Sequence, residues 1–185
     1  HKTLRDSDPD AALYWLGRML IAGDDPLYIV RRLIRFSVED IGMADPHALT
    51  LAMAAQQAVH FIGIPEGELA LAHAVVYLAT APKSNAVYTA YAKAREDAER
   101  SSHEPIPIHL RNAPTRLMKE MGHGKGYKYA HDYKGHFAGQ RNLPEELGDK
   151  RFYEPGEMGY EAAVKERLEA WWKRSKGPSD GGPTA

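Results

Sequence analysis

Residues 8–46 read DPDAALYWLGRMLIAGDDPLYIVRRLIRFSVEDIGMADP. Three Asp-Pro pairs punctuate this stretch: Asp8-Pro9, Asp25-Pro26 and Asp45-Pro46. An aspartate can accept from the free amides that open a helix. Proline fits the first helical position, where no amide donor is needed. Each pair is followed by apolar residues at helical spacing. The spacing predicts a first helix from about Pro9 to Ala22, with Leu13, Leu16 and Leu20 inward and Gly23 as its stop. A second runs from about Pro26 to Ile41. It turns Ile29, Val30, Leu33, Ile34 and Ile41 inward and stops at Gly42. A third, from Pro46 to about Phe61, is alanine-rich and ends near Gly63.

Working outward, a fourth helix is expected to open at Pro65 and end before Pro82. Glu66 and Glu68 in its first turn suit the helix dipole. A fifth is expected from about Ser84 to Arg100. The small residues of AMAAQQAV and ALAHAVVYLA allow close helix approach, so the third and fourth helices are expected to be central. His60 and His73, among apolar neighbours, are expected to be hydrogen-bonded core residues. After Arg100 the texture changes. SSHEPIPIHL alternates Pro105 and Pro107 with Ile106 and Ile108, which reads as an extended strap. A short helix from Asn112 or Ala113 through Met121, a turn at 144–147 and a last helix from about Tyr160 to Arg174 complete the reading. The fold class is therefore all-α. A five-helix bundle core covers 1–100, a long irregular basic and aromatic arm packed on it covers 101–159, and a closing C-terminal helix covers 160–174. A flexible tail, SKGPSDGGPTA, covers 175–185, and the whole is one domain.

Composition narrows the function. Hydrophobic residues make up 43% of 185, which marks a globular chain. The net charge is -1, so any affinity for nucleic acid must come from a local patch. The absence of cysteine excludes disulfides, cysteine-ligated zinc and thiol catalysis. No apolar run approaches the ~18 residues of a membrane span, and no signal peptide is visible. Because the chain opens on His1 rather than methionine, we expect it to be a piece of a longer protein.

The local patch lies at 110–137, LRNAPTRLMKEMGHGKGYKYAHDYKGHF. Six lysines and arginines face Glu120 and Asp132 alone, with histidines and aromatics threaded among them. Cations suit phosphates and flat rings can stack on bases. Arg116, Lys119, Lys125, Tyr127, Lys128, Tyr129 and Lys134 are the candidate nucleic-acid-binding residues. The competing reading is an ordered loop whose tyrosines fill gaps and whose lysines meet water.

Catalytic patterns are not met. Gly122-His123-Gly124-Lys125-Gly126 lacks the leading glycine spacing and the Ser/Thr of a phosphate-cradling loop. His131, Asp132 and His136 have a nonspecific spacing for a metal. Glu39 and Asp40 are adjacent, so on a helix they diverge by about 100°. Arg35 lies four residues before Glu39 and can pair with it. We assign no catalytic, cofactor-binding or metal-binding residue.

The stretches SDPDAALYWLGRML, IRFSVEDIGMADPHAL, YLATAPKSNAVY, LRNAPTRLMKEMGHGKGYKYAHDY and RFYEPGEMGYE, in this order, resemble the C-terminal region of the RarA/MgsA-type AAA+ ATPases. These are replication-associated recombination proteins related to the Werner-helicase-interacting ATPase. The resemblance spans about His1 to Trp172. It implies a helical oligomerisation domain that assembles homotetramers of a DNA-dependent ATPase acting in replication and repair at stalled forks. It implies ATP and magnesium in a motor module absent from this chain. It also implies DNA, single-stranded or gapped, and replication-fork proteins as partners, and a place in the cytoplasm at the nucleoid. A module that chiefly binds single-stranded DNA through 110–137 is the alternative.

Overall fold

The protein, seen as a computed structural model, is described over residues 1–176. The expected flexible tail lies outside the described residues from 177 onward. The described residues form eight α-helices and no strand. These are α1 (Lys2–Arg5), α2 (Pro9–Ile21), α3 (Pro26–Phe36), α4 (His47–Ile62), α5 (Glu68–Thr80), α6 (Ala86–Arg100), α7 (Arg116–Glu120) and α8 (Tyr160–Lys176).

The Asp-Pro pairs act as their chemistry suggests. The Ala11 amide donates to Asp8 at 2.9 Å, the Leu27 amide to Asp25 at 2.9 Å and the His47 amide to Asp45 at 3.0 Å. The second helix departs from expectation at its end. Regular α-geometry stops at Phe36, and Ser37–Ile41 forms a π-turn. The buried Ser37 hydroxyl donates to the Ile34 carbonyl at 2.7 Å, and this competes with the backbone ladder there. The fourth helix also starts late. After Pro65 the chain stays in a turn, with the Gly67 amide on the Gly63 carbonyl at 2.7 Å, so Glu66 precedes the helix.

Packing divides the chain into two compact units. Among the described residues, the first holds 1–93 and 153–165, and the second holds 94–152 and 166–176. The boundary falls within α6 and α8.

In the first unit α5 is central, packed on α1, α2, α3 and α4. Leu71, Ala74, Val75, Leu78 and Ala79 of α5 meet Leu16 of α2, Val30, Leu33 and Phe36 of α3, and Ala48, Ala52, Ala55 and Val59 of α4 in one core. The buried alanines of α4 let that helix lie close to its neighbours. Leu13, Leu20 and Ile34 are only partly buried. His60 and His73 are exposed, which corrects their placement in the core. His73 falls on the side of α5 opposite its buried stripe, and His60 lies about 100° round α4 from buried Val59.

Three of the quoted stretches meet in this unit and lock it. The Ser84 amide donates to the Asp40 carbonyl at 2.8 Å, and Asp40 also pairs with Arg5 at 2.6 Å. Glu161 is fully buried. It accepts from the Tyr153 hydroxyl at 2.8 Å and from the Gly156 amide at 3.0 Å. Burial and this hydrogen bond push the Tyr153 hydroxyl pKa well up. Gly159 has φ +55, and a side chain there would strike the Ala44 carbonyl and the Pro82 ring. Tyr77 donates to Asp45 at 2.5 Å, which raises its pKa to about 12. These groups are structural fasteners, each satisfied by a neighbour.

Candidate nucleic-acid interface

All the candidate residues belong to the second unit. α7 begins at Arg116, two residues later than the placement of Pro114 suggests. Thr115 caps it by accepting from the Met118 amide at 3.3 Å. Asn112–Pro114 therefore lie outside the helix. The glycines that follow are required by the backbone, because Gly122, Gly124 and Gly126 have φ of 82, 76 and 82°. Their path is pinned. The Gly124 amide donates to the Ile108 carbonyl at 2.9 Å, and the His123 ring lies 3.3 Å from the Asn112 carbonyl oxygen.

This loop presents Lys125, Tyr127, Lys128 and Tyr129 together on the surface. Tyr127 and Tyr129 are each 55% exposed, so they do not fill gaps. Tyr133 is half-buried. Arg116 is exposed but paired with Glu120 at 2.8 Å, so its charge is already met in part. Lys119 and Lys134 are exposed. None of Lys119, Lys125, Lys128 and Lys134 has a carboxylate partner among the described residues. Tyr129, His131 and His136 form a row of rings, with centroids 5.0 and 4.7 Å apart.

Other residues give the arm its frame. Gln140 clamps the loop: its amide nitrogen donates to the Gly126 carbonyl at 2.8 Å, and its oxygen accepts from the Lys128 amide at 3.1 Å. Phe137 stacks on Trp171 at 5.5 Å and 7°. Arg174 of α8 donates to the Lys134 carbonyl at 2.5 Å. Buried Asp97 pairs with both Arg100 and Lys150. Those pairs hold its carboxyl pKa below the usual range, the Lys150 hydrogen bond acting most strongly. The Arg151 guanidinium lies 3.7 Å from the centre of the Trp172 ring.

Sequence reasoning missed Asp97, Gln140, Lys150, Arg151 and Trp172 as parts of this surface. The adjacent cations of Lys150-Arg151-Phe152-Tyr153 were the available signal. Among the described residues, His103, Glu104 and Glu146 bring ligand atoms within 4.8 Å of one another. That trio differs from the His131, Asp132 and His136 set considered as a metal site.

The surface offers unpaired ammonium groups beside exposed rings on a pinned loop. That combination suits a phosphate backbone with unstacked bases. No helix among the described residues is long and apolar enough to cross a membrane.

Comparison with known proteins gives a consistent result. The chain is 52% identical over 174 residues to Replication-associated recombination protein A of Coxiella burnetii, covering 94% of this chain and 40% of that protein. It is 51% identical over 172 residues to the protein of the same name in Escherichia coli K12, covering 92% of this chain and 38% of the relative. It is 50% identical over 155 residues to ATPase WRNIP1 of Dictyostelium discoideum, covering 83% of this chain and 18% of that protein. The chain thus spans about two fifths of the length of these bacterial relatives. Residues 6–172 match the family described as MgsA AAA+ ATPase C terminal, and the chain belongs to that family.

Proposed function

We propose that this domain gathers copies of a longer, DNA-dependent AAA+ ATPase of replication, recombination and repair into a homotetramer. The carrying observation is the surface of α4 and α5. α5 packs on α1, α2, α3 and α4, yet its outward stripe leaves Leu69 and Val76 open beside His73 and Thr80. Leu69 is 78% exposed and Val76 37%, while Leu49 and Met53 of α4 are 40% and 41% exposed. Phe61 and Ile62 at the end of α4 are more exposed still. Large apolar side chains left open together on neighbouring helices mark a protein–protein contact. Symmetric self-contact is the usual way to supply them.

Light scattering at tens of micromolar tests this. The expected mass is about four times the 20.6 kDa of the chain. A single-chain mass overturns the reading. Leu69→Glu should lower the mass while leaving the helical signal intact, because Leu69 is largely exposed within the chain.

The relatives' names tie them to replication and recombination, and a DNA surface on the arm fits that setting. Lys119, Lys125, Lys128 and Lys134 would meet phosphates, with Tyr127 or Tyr129 stacking on bases. Weak sites repeated around a tetramer would add through avidity. Combined Lys125→Glu and Lys128→Glu should weaken binding to single-stranded DNA and flatten its salt dependence, by about 0.7 in slope per lost phosphate contact. Unchanged binding would leave the arm as a solvated loop. ATP and magnesium belong to the motor module of the longer protein.

A further inference from the structure

We propose that a groove in the second unit, walled by Phe137, Arg141, Lys150, Arg151 and Trp172, holds one nucleotide of a single DNA strand that has crossed the arm. This extends the DNA-binding reading by a site that stands on residues outside the candidate set of the arm.

The groove encloses about 340 Å³. That lies at the lower end of the roughly 300–1,000 Å³ typical of small-ligand sites. Its wall combines three cations with two aromatic side chains, in a chain whose net charge is only -1. Asp149 is the acidic side chain that faces them in the groove wall.

Two of the cations are held by the protein itself. Lys150 pairs with buried Asp97, and Arg141 donates to the Glu145 carbonyl at 2.8 Å. Arg151 is different. Its guanidinium lies over the Trp172 ring at 3.7 Å, and its donors meet no acceptor among the described residues. Stacking fixes the plane of the fork without using its edge. An exposed, oriented arginine can then offer edge donors to a phosphate and its outer face to a base, since guanidinium planes stack on nucleobases.

Gln140 makes the groove continuous with the arm. It lines the groove, and its amide holds the backbone of Gly126 and Lys128 at 2.8 and 3.1 Å. A strand lying along Lys125, Tyr127, Lys128 and Tyr129 therefore reaches the groove by passing one side chain. A second groove, of about 400 Å³ beside Pro105 and Pro107, is lined by Glu104 and Glu145 as well as Arg111 and Arg141, with His109 as its one ring. Its two carboxylates match its two guanidiniums, so it offers a phosphate less net positive charge than the first groove.

The test uses the 185-residue chain and a fluorescein-labelled oligodeoxythymidine, read by anisotropy over a range of salt. Arg151→Glu should weaken binding about tenfold or more, the order of one lost stacking contact. It should also reduce the slope of log K against log salt by about 0.7 per lost phosphate. Arg151→Lys, which keeps charge but loses the planar fork, should fall between. Thymidine monophosphate should displace the strand at lower concentration than inorganic phosphate.

Parent-like affinity in Arg151→Glu overturns the proposal. If that variant does not fold, parent-like affinity in folded Arg151→Lys overturns it instead. Equal displacement by phosphate alone would reduce the groove to an anion site and overturn its assignment to a nucleotide. Loss of binding in Arg151→Glu, with the Lys125/Lys128 reversal unaffected, supports the groove as a nucleotide site and overturns the path across the arm. The converse pattern removes the groove and leaves the arm.

Discussion

Asp97 is the residue on which the second unit turns. Its buried carboxylate, on α6, pairs with Arg100 of the same helix and with the distant Lys150. Both partners favour the ionised form, so its folded pKa lies below the ordinary 3.8. A depressed carboxyl contributes stability that is present above the unfolded value and lost as pH falls through the folded one. We expect acid destabilisation to set in below about pH 4, as carboxyls protonate. Asp97→Asn should lower the thermal midpoint near neutrality and narrow the gap between neutral and acid midpoints. An unchanged gap in calorimetry would remove Asp97 from that role. None of this was readable in EDAER, where Asp97 looks like one charge among several on a helix end. Its importance comes from a partner 53 positions away. That Gly122, Gly124 and Gly126 break the helix was readable from their alternation, but the exposure of Tyr127 and Tyr129 was not, since the same sequence allowed tyrosines packed into gaps. Arg151 over Trp172 was not, since stacking across 21 residues leaves no local pattern.

At the scale of elements, α3 is the clearest case of sequence dictating packing. Ile29, Val30, Leu33 and Phe36 recur at helical spacing and all are buried. Leu33→Ala should cost about 2–5 kcal/mol in chemical denaturation, from lost burial and the cavity left behind. A midpoint equal to the parent's would mean that this face is not core. The helix starts at Pro9 and Pro26 were legible because capping is local: one carboxylate, one amide, two or three residues apart. The phase of α4 and α5 was not. Both are rich in alanine and poor in charge, so no polar stripe marks the outside. His60 and His73 were misplaced for that reason. Pro65 misled in the opposite sense, since a proline suits a turn as well as a helix start. The loop from Tyr153 to Glu161 looked irregular in sequence, yet it is held on both sides of Glu161. Gly159→Ala should therefore lower the thermal midpoint sharply, because the added methyl meets the Ala44 carbonyl and the Pro82 ring.

At the scale of the molecule, the chain carries fastening and surface but no phosphate-cradling loop, so we expect it not to hydrolyse ATP by itself. Turnover abolished by Lys125→Ala, in a phosphate-release assay on pure chain, would overturn that. Whole-chain properties were legible only as far as fold class and resemblance. The division into two units was not, because it cuts across α6 and α8, where sequence shows uninterrupted helix. α5 sets one behaviour of the whole. If Leu69 and Val76 are covered by another copy, as proposed, part of its stability is left to mass action, and its melting should depend on how much protein is in the tube. Diluting the chain about tenfold should lower its melting temperature, as it does for any fold completed by a second copy. In Leu69→Glu the melting temperature should be lower from the outset and insensitive to dilution.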